Sequence, residues 1–381
     1  MESKEAVRVF LLEYIKKQPQ LELTDLIKLL YQSAFGCGHF APDEARVLEY
    51  LEIEMETMRA DRNAPLDENV LGGYARVNIA PYAARGMETK TLARLFMKTA
   101  NAPLEGERKA WFDEMLSLLG EMAQAGELPF AQEDVCAELA AYREAGCPSV
   151  HHSKRFRAAA HPAYRILRAE YAQLLPVFDK IDRLLERRER VLIAIDGSSG
   201  SGKSTLAQLL KDVYGATLVH MDDFFLQMHQ RTKERFETPG GNVDHERFFE
   251  EVLLPMSRGE TFLYRPFDCS CMAVGKGTEI APGKLCIVEG SYSLHPALES
   301  AYDLKIVLSI SPAAQAERIL KRNGPQMLGR FMNEWIPMEN LYFEATRIKD
   351  RCDMGIGVTP EQDGVRYDVH ERGAEHERRC D

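Results

Sequence analysis

Eight residues, Gly197-Ser198-Ser199-Gly200-Ser201-Gly202-Lys203-Ser204, stand between an apolar run, Val191–Ile195, and a stretch with helical spacing, Ser204–Tyr214. They constrain the fold more than any other feature of the chain. The octet fits GxxxxGK[ST] at every position. Glycines let backbone N–H groups turn inward around phosphate oxygens, and the helix that follows presents its positive N-terminal end. Lys203 is expected to bridge the β- and γ-phosphates of a nucleotide, and the Ser204 hydroxyl to ligate Mg²⁺. Gly197 to Ser204, with Thr205 next to them, are therefore the expected nucleotide-binding residues. The bland alternative, a glycine-rich turn, does not account for the Lys-Ser pair.

Downstream, short apolar segments alternate with helical ones. Thr217–Met221, Leu285–Val288, Lys305–Ile310 and Met354–Val358 read as strands. This alternation predicts an α/β fold with a parallel sheet in three layers. An excursion at 224–284 separates the second and third of these strands, and an insertion of that length usually carries ligand binding. The first part of the chain reads differently. Val7, Phe10, Leu11, Tyr14 and Ile15 form one helical stripe, and Ile27, Leu30, Tyr31 and Ala34 another, behind a cap at Thr24. Helices are expected at Lys90–Thr99 and Glu133–Arg143, and a strand at Tyr74–Ile79. Leu167, Tyr171, Leu174, Phe178, Ile181 and Leu185 predict one long helix over Ala163–Leu185, kinked at Pro176. The organisation expected is a mainly α-helical domain over 1–185, an α/β domain over 186–360 and a C-terminal tail over 361–381.

Composition narrows the partners. A net charge of −11 over 381 residues argues against a general nucleic-acid binder. No apolar run reaches the roughly 18 residues that cross a bilayer, and Met1-Glu2-Ser3-Lys4-Glu5 lacks the layout of a secretion signal. Eight scattered cysteines without CxxC pairs read as reduced thiols, which points to a cytoplasmic protein. A homo-oligomer stays open.

Several side chains sit where chemistry would need them. Asp222 and Asp223 follow the second strand, at the carboxyl end of the sheet where ligands bind. Asp222 is the expected general base and Asp223 the expected cap. Glu289 ends the third strand, within reach of Mg²⁺ directly or through water, and Gly290 after it suits a close approach of the backbone. Arg318 and Arg322 lie four apart on a helix opening at Ser311-Pro312, placed to close over phosphates.

These motifs, in order and spacing, resemble the uridine kinase branch of the P-loop kinases over residues 191–360. Asp222-Asp223-Phe224-Phe225 stands where that family shows an Asp-Ser-Phe-Tyr-like run. Asn242-Val243-Asp244-His245 matches Asn-Phe-Asp-His, and Glu289-Gly290-Ser291-Tyr292 sits at the family's Glu-Gly-Ile position. Tyr264-Arg265-Pro266-Phe267-Asp268-Cys269 falls on a Tyr-Asp-Phe segment that ends in His. The resemblance implies an ATP- and Mg²⁺-dependent phosphotransferase with Asp222 as base. It further implies catalytic roles for Lys203, Arg318 and Arg322, sugar hydroxyls held by Asp244, and Tyr264 lining the acceptor pocket; for Asp244 a cap on a helix over Glu246–Leu254 is the alternative. Two departures bear on specificity: Cys269 replaces a base-reading His, and Arg265 replaces an Asp. Arg265 could read an acidic acceptor, so an acidic metabolite is one alternative to a nucleoside-like polyol. A regulatory NTPase signalling through the helical domain is another, weakened by the pocket-like excursion.

Residues 1–185 have no counterpart in a minimal uridine kinase. Cys37, His39, His151 and His152 match no defensible metal-ligand spacing, and the expectation is caps and core histidines, with Lys154, Arg155 and Arg157 as a basic patch.

Overall fold

Every residue of β4, Val191–Gly197, is buried. A strand of this kind has to be covered on both faces. The computed structural model describes residues 1–38, 41, 43–59, 61–104, 107–361 and 364–372. In it β4 lies inside a six-stranded sheet with β5 (Thr217–His220), β6 (Leu285–Glu289), β7 (Leu304–Ile310), β8 (Met354–Glu361) and β9 (Gly364–Glu371), in the order β9-β8-β7-β4-β6-β5. The pairs β6–β4, β6–β5, β7–β4 and β7–β8 are parallel. Leu192 and Ala194 share a core with Phe248 and Tyr342 on one face. Val191, Ile193 and Ile195 alternate onto the other face and are fully buried. Helix Lys203–Tyr214 packs along β4, β5 and β6. The second half is thus a helix–sheet–helix α/β fold with a mostly parallel sheet.

By its internal contacts the chain forms two units, one of residues 1–175 with 361–364, the other of 176–360 with 365–381. The first unit is mainly helical. Its core joins Leu11, Leu26, Leu30, Phe112, Met115 and Leu119 from helices Lys4–Lys17, Leu23–Phe35 and Arg108–Gln124. The helices expected at 90–99 and 133–143 appear as Thr89–Ala100 and Gln132–Glu144. Glu22, rather than Thr24, caps the second helix, through a reciprocal bond with Asp25.

Two expectations fail here. The long helix over Ala163–Leu185 is instead strand β3 (Tyr164–Arg168), helix Ala169–Gln173 and helix Leu175–Arg187. β3 pairs antiparallel with β2 (Tyr74–Asn78), which pairs with β1 (Asp67–Asn69). His161 precedes a proline, where helical backbone is disfavoured, and tertiary pairing with β2 then decides the segment. Pro176 sits in the first turn of its helix, where a missing N–H costs nothing, and makes no kink. The second lies within the tail expected over 361–381: its residues Gly364–Glu371 form β9, hydrogen-bonded beside β8 with Tyr367 buried.

Candidate active site

The turn after β4 is shaped by Gly197, whose φ of +144° suits glycine alone, and a Cβ there would sit 2.3 Å from the Leu308 carbonyl oxygen. Just before it, Asp196 is wholly buried. Its carboxylate accepts the N–H groups of Gly197, Tyr292 and Leu294 and the Tyr342 hydroxyl. Burial raises its pKa to about 6 against the pull of those donors and of Lys203. The loop then opens into helix Lys203–Tyr214. Lys203 is buried, and its ammonium donates to the carbonyls of Gly197 (2.9 Å) and Ser198 (3.2 Å) and to Ser291 Oγ (3.2 Å).

Parallel register puts the ends of three strands side by side, with Glu289 paired to both Ile195 and His220. Glu289 is buried. Its Oε1 accepts from Ser204 Oγ at 3.1 Å and meets His220 Nδ1, while its Oε2 finds no hydrogen-bond partner among the described residues. A buried carboxylate oxygen without a donor, next to a loop serine hydroxyl, is the donor chemistry a hard dication requires. Ser204 and Glu289 therefore fit Mg²⁺. The carboxylate in turn raises the His220 pKa, outweighing burial.

Asp222 and Asp223 diverge. Asp223 Oδ2 accepts the Tyr264 hydroxyl. Asp222 opens onto a cavity of about 870 Å³ that is also lined by Gly200, Gly202, Lys203, Ser204 and Thr205. Surrounding protein raises the Asp222 pKa; Lys203 opposes this, and the nearby Glu289, Glu339 and Asp223 carboxylates add to it. Behind Asp222, Gly290 has φ +139°, and a Cβ there would come within 2.9 Å of Met221 Cβ and 3.1 Å of Asp222 Oδ1. Gly290→Ala should therefore push Asp222 aside. The expected result is turnover at least about tenfold lower with MgATP affinity little changed, checked by kinase assay and calorimetry.

Arg318 and Arg322 both reach the cavity wall from helix Pro312–Arg330. Arg318 also donates to the carbonyl of Gly200 at 3.2 Å. The cavity wall also has an apolar share: Phe225, Leu226, Phe236, Met272, Phe331 and Trp335 line it, and Cys269, Asn242 and Arg231 add polarity.

The remaining expected acceptor residues are elsewhere. Asp244 is buried as the N-cap of helix His245–Phe248, accepting the Arg247 N–H at 3.2 Å, and it does not line the cavity. Tyr264 is buried behind Asp223 and hydrogen-bonds the His220 backbone. Arg265 is held by Glu251. The charge change at 265 is thus paired within the protein, and Arg265 is not among the residues lining the cavity.

Sequence reasoning missed Asp196, His220, Phe331, Trp335 and Glu339. Asp196 left a trace, as the only charge in a buried strand. His220 directly precedes the Met-Asp-Asp corner. Phe331 and Trp335 belong to a π-helical turn, Phe331–Trp335, and reach the cavity only through the fold.

In the first unit His152 is buried between Asp25 Oδ1 (2.8 Å) and the Tyr164 hydroxyl (2.6 Å). Arg76 is buried over the Tyr164 ring and bonded to Gln32 and Tyr14. His39 lies outside the described residues. Among those described, no three His, Cys, Asp or Glu side chains gather as a metal site, and no helix is long and apolar enough to cross a membrane.

No protein-family model matches the chain. Among curated proteins, a uridine kinase of Clostridium perfringens is 26% identical over 175 residues, which cover 41% of this chain and 83% of that one. A uridine kinase of Geobacillus kaustophilus is 27% identical over 178 residues, covering 42% and 83%. The second half of this chain is uridine kinase-like. Among solved structures, a possible uridine kinase from Bacillus stearothermophilus aligns with a TM-score of 0.36 at 20% identity, covering 47% of this chain and 98% of that one. The uridine kinase-like region is preceded in the sequence by a mainly helical unit.

Proposed function

We propose that the chain transfers the γ-phosphate of ATP to a hydroxyl of a small molecule, with Asp222 as general base. The observation that carries this reading is the meeting of Lys203, Ser204 and Asp222 on one cavity, with Asp223 bonded to Tyr264 and so turned to a structural task. The acceptor hydroxyl would give its proton to Asp222 as its oxygen bonds the γ-phosphorus, and the bond to the departing ADP oxygen breaks. Lys203 would follow the transferring charge, with Arg318 and Arg322 closing from the other side. Mg²⁺ held by Ser204 and Glu289 would neutralise phosphate charge.

Asp244, Tyr264 and Arg265 play no direct part in this proposal, which weakens the case for a sugar read as in a uridine kinase. An acidic acceptor is favoured by a different residue, Arg231. It lines the cavity, its Nε donates to the Leu226 carbonyl at 3.0 Å, and no carboxylate pairs with it among the described residues. A cytoplasmic location would fit the phosphoryl donor.

The test is incubation of the full chain with ATP, Mg²⁺ and a panel of nucleosides, vitamins and sugar acids, following ADP. Acceptor-dependent ADP formation is expected. ATP consumption indifferent to every acceptor would favour a regulatory NTPase instead.

A further inference from the structure

One buried carboxylate on the cavity wall has no part in that chemistry. Glu339, in helix Ile336–Thr346, is 3% exposed. Its Oε2 accepts the Ser199 backbone N–H at 2.9 Å, and its Oε1 accepts the hydroxyls of Ser199 and, at 2.9 Å, Ser291. Ser291 Oγ accepts in turn from the Lys203 ammonium. Three residues along the same helix face, the Tyr342 hydroxyl donates to Asp196. One helix thus grips the loop at two points, before Gly197 and at Ser199, and reaches Lys203 through Ser291.

A carboxylate on a phosphate-binding loop can either occupy the place of a phosphate or brace the loop from outside. The hydrogen bonds separate these. The N–H groups of Gly197, Ser199 and Ser201 have acceptors, namely Asp196, Glu339 and the Ser198 carbonyl. Those of Gly200, Gly202, Lys203 and Ser204 have none among the described residues. The donors that open at the helix N-terminus are left to a ligand, and Glu339 takes one that is not among them.

We propose that Glu339 is a positioning residue that braces the phosphate loop and, through Ser291, aims Lys203. This rests on the reading of the cavity as an MgATP site. A preformed loop binds phosphate without first having to be ordered, so loss of the brace should appear as weaker MgATP binding.

The test is MgATP affinity by calorimetry on the full chain. Wild type should bind, Glu339→Ala should bind at least about tenfold more weakly, and Glu339→Gln, whose amide oxygen still accepts the Ser199 N–H, should stay within about threefold. In a double-mutant cycle, Glu339→Ala should cost less in a Lys203→Ala background, because the two act on one loop. Tighter binding by Glu339→Ala would mean that the carboxylate occupies the phosphate site, which overturns the proposal. So would unchanged binding, a Gln variant as weak as Ala, or strict additivity with Lys203→Ala. If Glu339→Ala does not fold, Ser291→Ala carries the test, with an expected loss of about fivefold and no loss counting against the brace. A wild type that does not bind MgATP would sink the nucleotide reading itself, a result distinct from all of these.

Discussion

Asp222→Asn should lower turnover by about 10²–10⁴-fold while leaving MgATP affinity within about threefold. Asparagine keeps the shape and the hydrogen-bonding reach of the side chain and removes its capacity to take a proton. The effect should fall on kcat, because Asp222 opens onto the cavity beside the loop and makes none of the loop's own bonds. The pH profile offers a second measurement. A base works only when deprotonated, so the rate rises with pH through its pKa. The surrounding protein and the neighbouring carboxylates raise that pKa above the ordinary 3.8, against Lys203. The acid limb of kcat/KM should therefore lie higher in pH than for an ordinary aspartate in the wild type and be missing from the residual activity of the variant. Near-normal turnover in Asp222→Asn would remove this residue from the base role.

Glu289→Gln should raise the Mg²⁺ concentration needed for half-maximal activity by about 10–100-fold, a range typical for disturbing a metal's supporting groups. The carboxylate is buried with one oxygen bonded to Ser204 and His220 and the other without a donor among the described residues. Glutamine keeps the volume, so the strand end and its packing should survive. What it loses is the charge, together with the second acceptor oxygen. Activity titrated against Mg²⁺ at fixed ATP would separate a metal defect, relieved at high Mg²⁺, from a general one. A variant whose Mg²⁺ requirement matches the wild type would take Glu289 out of the metal role. It would leave the carboxylate as a structural partner of Ser204 and His220.

How far the sequence could be read depended on the range of the interaction. The phosphate loop was legible because its demands are local: glycines for inward N–H groups, a lysine and a serine at set spacing, an apolar strand before and a helix after. The strands of the second half were legible because a buried parallel strand is a continuous apolar run. Tyr164–Arg168 was not, since its strand conformation depends on Tyr74–Asn78, almost ninety residues away, and its own spacing suits a helix as well. Cys269 lines the cavity. Asp244, Tyr264 and Arg265 do not. Each found a partner inside the protein, Arg247, Asp223 and Glu251 respectively; the first is a local helix cap, and the other two depend on the fold.

By itself, then, the sequence determined the loop, the order of strands and helices around it, and the identity of Asp222, Ser204 and Glu289 as the groups to watch. Short-range backbone geometry and hydrophobic burial suffice for that. Only the tertiary structure decided that Asp223 is bonded to Tyr264, and that Arg231 and not Arg265 lines the cavity. It also brought Glu339, some 140 residues from Ser199, onto the phosphate loop. Such choices follow from which donor lies within about 3 Å of which acceptor once the chain is packed, and no local spacing encodes that.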